Sequence, residues 1–325
     1  MKVLVTGANG LLGHHVVFEL LKRQHDVNII VRSTKNIHFE LSKVSVYKGN
    51  FTTYADLLNA SSGCEAIIHI AAVTANDLLR FEDYQKINSE GVRQVIRVSE
   101  EQNIKNVVFV STSNTIGYGN EFSSADETHP IQYPFSKSFY ARSKQEAEQL
   151  FVEASKTPGN HFVVIHPTFM IGPYDPKPSS GKLMLMGYKK RLFFVPSGGK
   201  NFVTVQDVAH VVCNAMIQGR NGGHYLASGV NLSFKEFYYQ QKEVGKYPQF
   251  LIIIPNIVLI FIGMAGDIFR KLGVKTDLCS MNLRQLMVRE YYTHQKAKTE
   301  LNLPESDLKN AVKEALDWFK EKEMI

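Results

Sequence analysis

The opening thirteen residues constrain this chain more than any other feature. Met1-Lys2-Val3-Leu4-Val5-Thr6 is a short apolar run that predicts a strand, and it passes straight into Gly7-Ala8-Asn9-Gly10-Leu11-Leu12-Gly13. His15 to Leu21 then continues at helical spacing. A glycine-rich turn between strand and helix brings free amides and the positive end of the helix dipole together. Its missing side chains let a pyrophosphate approach closely. Gly7, Asn9, Gly10, Leu11, Leu12 and Gly13 are therefore expected to cradle phosphate. The spacing is Gly-x-x-Gly-x-x-Gly, and its weight comes from its position between strand and helix.

With 325 residues, 44% of them hydrophobic, the chain can bury a large core and exceeds the usual size of one domain. The net charge of +6 is scattered along the sequence, which fits a small anionic ligand and not nucleic acid. Cys64, Cys213 and Cys279 are far apart and show no metal-ligand spacing, so neither a disulfide framework nor a zinc site is expected. The first strand begins at once, and a cytoplasmic location is the expectation.

Residues 251–266 are the most apolar stretch and approach the ~20 residues that span a bilayer, but Pro255 and Asn256 interrupt it. The expectation is a strand ending at Pro255 and then a buried helix. An apolar flap lying on a membrane surface, or admitting a lipophilic substrate, is the second reading.

Apolar runs recur at Val27–Val31, Val44–Tyr47, Ala66–Ile70, Val107–Ser111 and Phe162–His166, with helical patterns at Tyr84–Gln102 and Ser136–Ser155 between them. Such alternation predicts an α/β fold, a doubly wound parallel sheet covered on both faces. Residues 1–166 are expected to form the nucleotide-binding domain, with 202–228 returning to it. A smaller, mostly helical substrate lobe is expected from 167–201 and 229–325, ending in an amphipathic helix over Leu308–Trp318.

In such a sheet the end of the second strand decides between a ribose hydroxyl and a 2′-phosphate. Here it reads Arg32-Ser33-Thr34-Lys35, with no carboxylate. A guanidinium matches phosphate geometry, so Arg32 predicts NADP(H), with NAD(H) as the alternative.

Tyr140 and Lys144 form a Tyr-x-x-x-Lys pair, as do Tyr133 with Lys137, Tyr238 with Lys242 and Tyr292 with Lys296. Position favours the first. Pro134 spoils a helix for Tyr133, the last two lie far beyond the expected sheet, and a four-residue offset puts Tyr140 and Lys144 on one helical face. Lowering a phenol from ~10 to about 7 needs roughly 4 kcal/mol, which one ammonium at ~4 Å in a partly screened site supplies. Tyr140 would then exchange a proton with a substrate oxygen. Thr112, or else Ser113, at the carboxyl end of its strand would orient that oxygen.

In sequence order, Thr6-Gly7 through Gly13, Ile68-His69-Ile70-Ala71-Ala72, Asn88 before Gly91, Val110-Ser111-Thr112, Tyr140 with Lys144, and His166-Pro167-Thr168-Phe169-Met170-Ile171-Gly172-Pro173 resemble the extended short-chain dehydrogenase/reductase family over nearly the whole chain. The resemblance implies a Rossmann-type fold and a catalytic set of Thr112, Tyr140 and Lys144. It also implies cofactor contacts from Asn50 and Phe51 at the adenine and from Ala71, Ala72 and Val73 along the pyrophosphate and ribose. Asn88 joins that set, with Pro167, Thr168 and Met170 near the nicotinamide. Asn50 stands where the family usually has Asp. A homodimer through Tyr84–Gln102 and Ser136–Ser155 is implied as well.

Within the family, Arg32 and Pro167-Thr168 look like dihydroflavonol 4-reductase and 3β-hydroxysteroid dehydrogenase relatives. Nucleotide-sugar epimerases tend to carry Asn at the place of Thr168 and an arginine near Lys200-Asn201-Phe202-Val203. The C-terminal half is also similar to hopanoid-associated sugar epimerase-like proteins. The expected function is NADP(H)-dependent interconversion of a carbonyl and a secondary alcohol on a small, moderately lipophilic substrate. A nucleotide-sugar epimerase or dehydratase with tightly bound NAD, and a nicotinamide-sensing binding protein, stay open.

Overall fold

The computed structural model describes residues 1–325 apart from 76, 177 and 179. Six strands alternate with helices along the first half: β1 Lys2–Thr6, α1 Leu11–Lys22, β2 Asp26–Val31, β3 Ser45–Lys48, α2 Tyr54–Ala60, β4 Ala66–His69, α3 Phe81–Glu101, β5 Asn106–Val110, α4 Phe139–Ser155 and β6 His161–Pro167. Short strands and helices follow: β7 Phe169–Ile171, α5 Gly181–Gly187, β8 Leu192–Val195, β9 Gly199–Thr204, α6 Val205–Gln218, β10 His224–Ala227, β11 Val230–Ser233 and α7 Phe234–Gly245. The chain ends with β12 Phe250–Ile253, α8 Asn256–Lys271, α9 Ser280–Gln285, β13 Arg289–Glu290, α10 Gln295–Leu301 and α11 Leu308–Glu321.

The main sheet has seven parallel strands in the order β10-β6-β5-β4-β1-β2-β3. Its strands read as unbroken apolar runs because both faces are covered, and successive residues serve opposite sides. Val3 and Val5 enter one core with α1 and α6, while Leu4 enters the other with α2, α3 and α4. Ile67 and Ile68 divide the same way.

A second sheet pairs β9 with β7, β11 and β13, and α5, α7 and α11 close a third core around Phe202, Phe237 and Phe319. Of the expected returning segment 202–228, residues 202–204 therefore lie in this second sheet. Helix α6 packs on the main sheet, and β10 adds to the main sheet beside β6. Switching sheets between β6 and β10 places the second lobe over the carboxyl ends of the main strands, where open α/β sheets bind ligands.

The region around Pro255 has the expected strand and helix, β12 and α8, but the helix is not buried. Its inward residues are Leu259, Gly263 and Gly266, and most of its other large apolar residues, Phe261 and Phe269 among them, face outward. A Cβ on Gly266 would lie 1.3 Å from the Leu278 carbonyl oxygen, so the glycines make the packing surface. Apolarity gave the helix but not its orientation. No helix among the described residues is long and apolar enough to cross a membrane.

Candidate active site

The glycine turn has the conformation its sequence demands. Gly7 has φ +76°, and a Cβ there would lie 2.8 Å from the Ala71 nitrogen. A Cβ on Gly13 would fall 2.0 Å from the Gly7 carbonyl oxygen. Gly10 is the N-cap of α1, with no side-chain cap and no acid in the first turn. Its own missing Cβ would meet only the Gly7 oxygen at 3.4 Å. A bare, uncapped helix N-terminus with no side chain in front of it fits a dinucleotide pyrophosphate. Leu11 and Leu12 are buried and anchor the helix, while Asn9 is partly exposed at the turn.

Thr6 was not singled out from the sequence, yet it ties two loops together. Its Oγ1 lies 2.8 Å from His69 Nδ1 and accepts from the amides of Ile70 and Ala71 at 3.2 Å each. Asn88 is fully buried on α3. Its Oδ1 accepts the Val73 amide at 2.8 Å, and its Nδ2 donates to the Val73 carbonyl and to Ser143 Oγ. Its polar atoms therefore act on the Ala71-Ala72-Val73 loop and on α4. Asn50 Oδ1 accepts the Thr52 amide, and Phe51 packs against His69 and Gly91. Arg32 is exposed at the end of β2.

Ser138 caps α4 by accepting the Ala141 amide, which sets Tyr140 in the first turn and Lys144 one turn on. The Thr112 side chain stands beside the Tyr140 phenol and pulls it down, against the larger rise that burial imposes. Lys144 lies 1% exposed, donates from Nζ to the Val110 carbonyl at 2.8 Å, and sits 4.1 Å from the centre of the Phe109 ring. Burial pushes the Tyr140 phenol up to about 12 and the Lys144 ammonium down to about 7. The expected lowering of Tyr140 by Lys144 is thus not met in this arrangement, because the ammonium is turned onto a carbonyl and burial outweighs the other influences on the phenol.

One further turn along α4 stands Glu148, which sequence reasoning missed. It accepts from Ser111 and Thr115 and lies 3.6 Å from His166 Nδ1. His166 Nε2 in turn is 2.9 Å from His224 Nδ1. Burial holds both imidazoles down at about 4, and the Glu148 carboxyl above its ordinary range. Tyr140, Lys144 and Glu148 recur at a four-residue interval, a signal the sequence did contain.

A cavity of about 600 Å³ opens against Thr112 and Ser113. Phe169, Leu283 and Leu286 contribute apolar wall; Lys200 and Glu290 form a buried ion pair beside them. Thr168 also lines it, but its hydroxyl donates to Asn201 Oδ1 at 2.7 Å. Pro167 ends β6, and Met170 packs against the core from β7. Tyr292, set aside with its Lys296 as remote from the sheet, is brought to this cavity, where its hydroxyl donates to the Ser113 carbonyl at 3.3 Å. The antiparallel bridge of Gly119 with Tyr291 folds that distant segment back over the sheet, a long-range contact with no local signature.

Comparison with known proteins follows the same lines. The model of the NAD dependent epimerase/dehydratase family matches residues 3–228. A "Putative dihydroflavonol 4-reductase" of Synechocystis sp. is 26% identical over 324 residues, covering 97% of this chain and 93% of that protein. The "Sterol demethylase protein B" of Methylococcus capsulatus is 27% identical over 335 residues, covering 100% of both. Among solved structures, that of gox2253 superimposes with a TM-score of 0.83 at 23% identity, covering 99% of this chain and 98% of the other. With its glycine cradle, its α4 tyrosine and lysine and this match, the chain belongs to the NAD dependent epimerase/dehydratase family, as an enzyme of the extended short-chain dehydrogenase/reductase type.

Proposed function

We propose that this enzyme interconverts a carbonyl and a secondary alcohol on a moderately lipophilic small molecule, with NADP(H) preferred over NAD(H). The observation that carries the proposal is that Thr112 lines a cavity together with the apolar side chains of Phe169, Leu283 and Leu286, with the Tyr140 phenol of α4 beside it. The nicotinamide, when bound, supplies or accepts the hydride. Tyr140 passes its phenolic proton to the oxygen in reduction and recovers it in oxidation, and Thr112 holds that oxygen by a hydrogen bond. Lys144, one turn along α4, stabilises the phenolate once its ammonium turns from the Val110 carbonyl toward the phenol. Its raised Tyr140 partner favours the protonated form, which suits the reducing direction at neutral pH.

Arg32 supports the cofactor preference, since its exposed guanidinium stands where an acid would repel a 2′-phosphate. The relatives named for dihydroflavonol and sterol chemistry support the substrate class. Helices α3 and α4, packed side by side, are the face through which we propose two copies pair.

The test is to denature the purified protein, quantify any released dinucleotide, and measure exchange with added NADPH and NADH. Little bound cofactor, with NADPH held more tightly than NADH, is expected. Near-stoichiometric, poorly exchanging NAD would replace this function with that of a nucleotide-sugar epimerase or dehydratase.

A further inference from the structure

We propose that the surface formed by β8, β12 and α8 docks onto an anionic phospholipid bilayer and presents the cavity mouth to it. The apolar part of this surface is concentrated. Thirteen of the twenty-two exposed large apolar side chains among the described residues fall within 250–278. A water-facing monomer rarely exposes so continuous a patch without a partner.

Two elements build it. Strands β8 and β12 pair in parallel with Leu192 opposite Phe250 and Phe194 opposite Ile252. All four are exposed, so one whole face of this ribbon is apolar. The chain then turns at Pro255 into α8, which packs inward through Gly263 and Gly266 and holds Phe261, Met264, Ile268 and Phe269 outward. Helices that lie in a membrane interface have such a face, and α8 is not of the kind that spans.

Charge identifies the partner. Residues 181–194 carry four Lys or Arg and no acid, and residues 246–278 carry four against Asp267 and Asp277, the latter paired with Lys182. Together these segments hold a net charge equal to the whole chain's +6, leaving the remainder neutral. Lys189, Lys190 and Arg191 are exposed immediately before the apolar residues of β8, and Lys271 and Lys275 are exposed at the far end of α8. An apolar face rimmed by cations at both ends matches the acyl and headgroup layers of an anionic leaflet.

The same surface reaches the cavity. Met186 and Leu278 line it and are 55% and 53% exposed. A lipophilic substrate would thus pass from the bilayer to Thr112 without crossing water. This last point rests on the proposed function, whereas docking itself does not.

Flotation of the full chain with vesicles of phosphatidylcholine alone, or mixed with phosphatidylglycerol, tests it at low and high salt. Binding to the mixed vesicles only, weakened by salt, is expected. Phe261→Asp with Phe269→Asp should lower bound protein at least tenfold, and Lys190→Glu with Arg191→Glu should remove the dependence on phosphatidylglycerol. Unchanged thermal unfolding and NADPH binding in both variants show that the fold and cofactor site persist. No flotation, equal flotation with neutral vesicles, or a dimer in solution that Phe261→Asp dissociates would each overturn the proposal. None of these bears on turnover, so failure here leaves the proposed reaction standing.

Discussion

Asn88 Nδ2 donates to Ser143 Oγ at 2.9 Å while its Oδ1 accepts the Val73 amide at 2.8 Å, so one buried side chain couples the loop after β4 to the helix that carries Tyr140 and Lys144. Ser143 Oγ donates in turn to the Tyr140 carbonyl at 2.8 Å. Asn88→Ala would leave the half-buried Val73 amide without its side-chain acceptor, at a cost of about 1 kcal/mol. Urea unfolding should show that loss, and the variant should bind NADPH more weakly than the wild type. Unchanged stability would remove Asn88 from this role.

Arg32→Ser takes away the one guanidinium at the end of β2. If it holds a 2′-phosphate, a charge-assisted contact of about 1.5–3 kcal/mol is lost, roughly ten- to a hundredfold in NADPH affinity. NADH affinity should stay the same. Titration calorimetry with both cofactors reads the difference, and equal effects on the two would make Arg32 a surface residue.

Gly13→Ala places a methyl 2.0 Å from the Gly7 carbonyl oxygen, closer than any relaxation of α1 alone can absorb. Displacing the turn should cost about 1–3 kcal/mol and most of the dinucleotide affinity. Gly10→Ala, with 3.4 Å of room, should cost much less stability while still obstructing the cradle. Comparing the thermal unfolding and NADPH titration of the two variants separates packing from binding.

Lys144 gives the stability a pH dependence of definite sign. Burial holds it down to about 7, whereas the unfolded side chain titrates near ~10.4. Between those values the unfolded chain binds a proton that the folded chain does not, so Lys144 makes stability rise with pH, by at most about 1.4 kcal/mol per pH unit. Below about pH 7 its destabilising effect is complete. Lys144→Met should flatten the slope of unfolding free energy between about pH 7 and 9.5 relative to the wild type, measured without added cofactor. Parallel slopes would show that the ammonium is not desolvated.

The glycine turn, the alternating strands and the Tyr140–Lys144 pair were legible because each is local: a few adjacent residues of fixed periodicity determine them. Tyr292 was misjudged because its approach to Ser113 is made by chain segments far apart, and its Lys296 gives no hint of it. Asn88 was named through the family resemblance, but its hydrogen bonds to the Val73 backbone and Ser143, like those of Thr6 to the Ile70 and Ala71 amides, join segments far apart in sequence and have no local signature. Helix α8 was misplaced because the apolarity that signals a helix does not say whether large residues or glycines face inward. The pKa of Tyr140 depends on where the Lys144 ammonium points, and spacing alone does not set that.

The most direct test of the account compares wild type with Tyr140→Phe on a panel of ring ketones and secondary alcohols, following the absorbance of reduced nicotinamide, with NADPH affinity measured for both. Removing the proton donor should lower turnover by roughly 10²–10⁴-fold and leave NADPH binding intact. Turnover within a few fold of the wild type would contradict the assignment of Tyr140 as the acid and base.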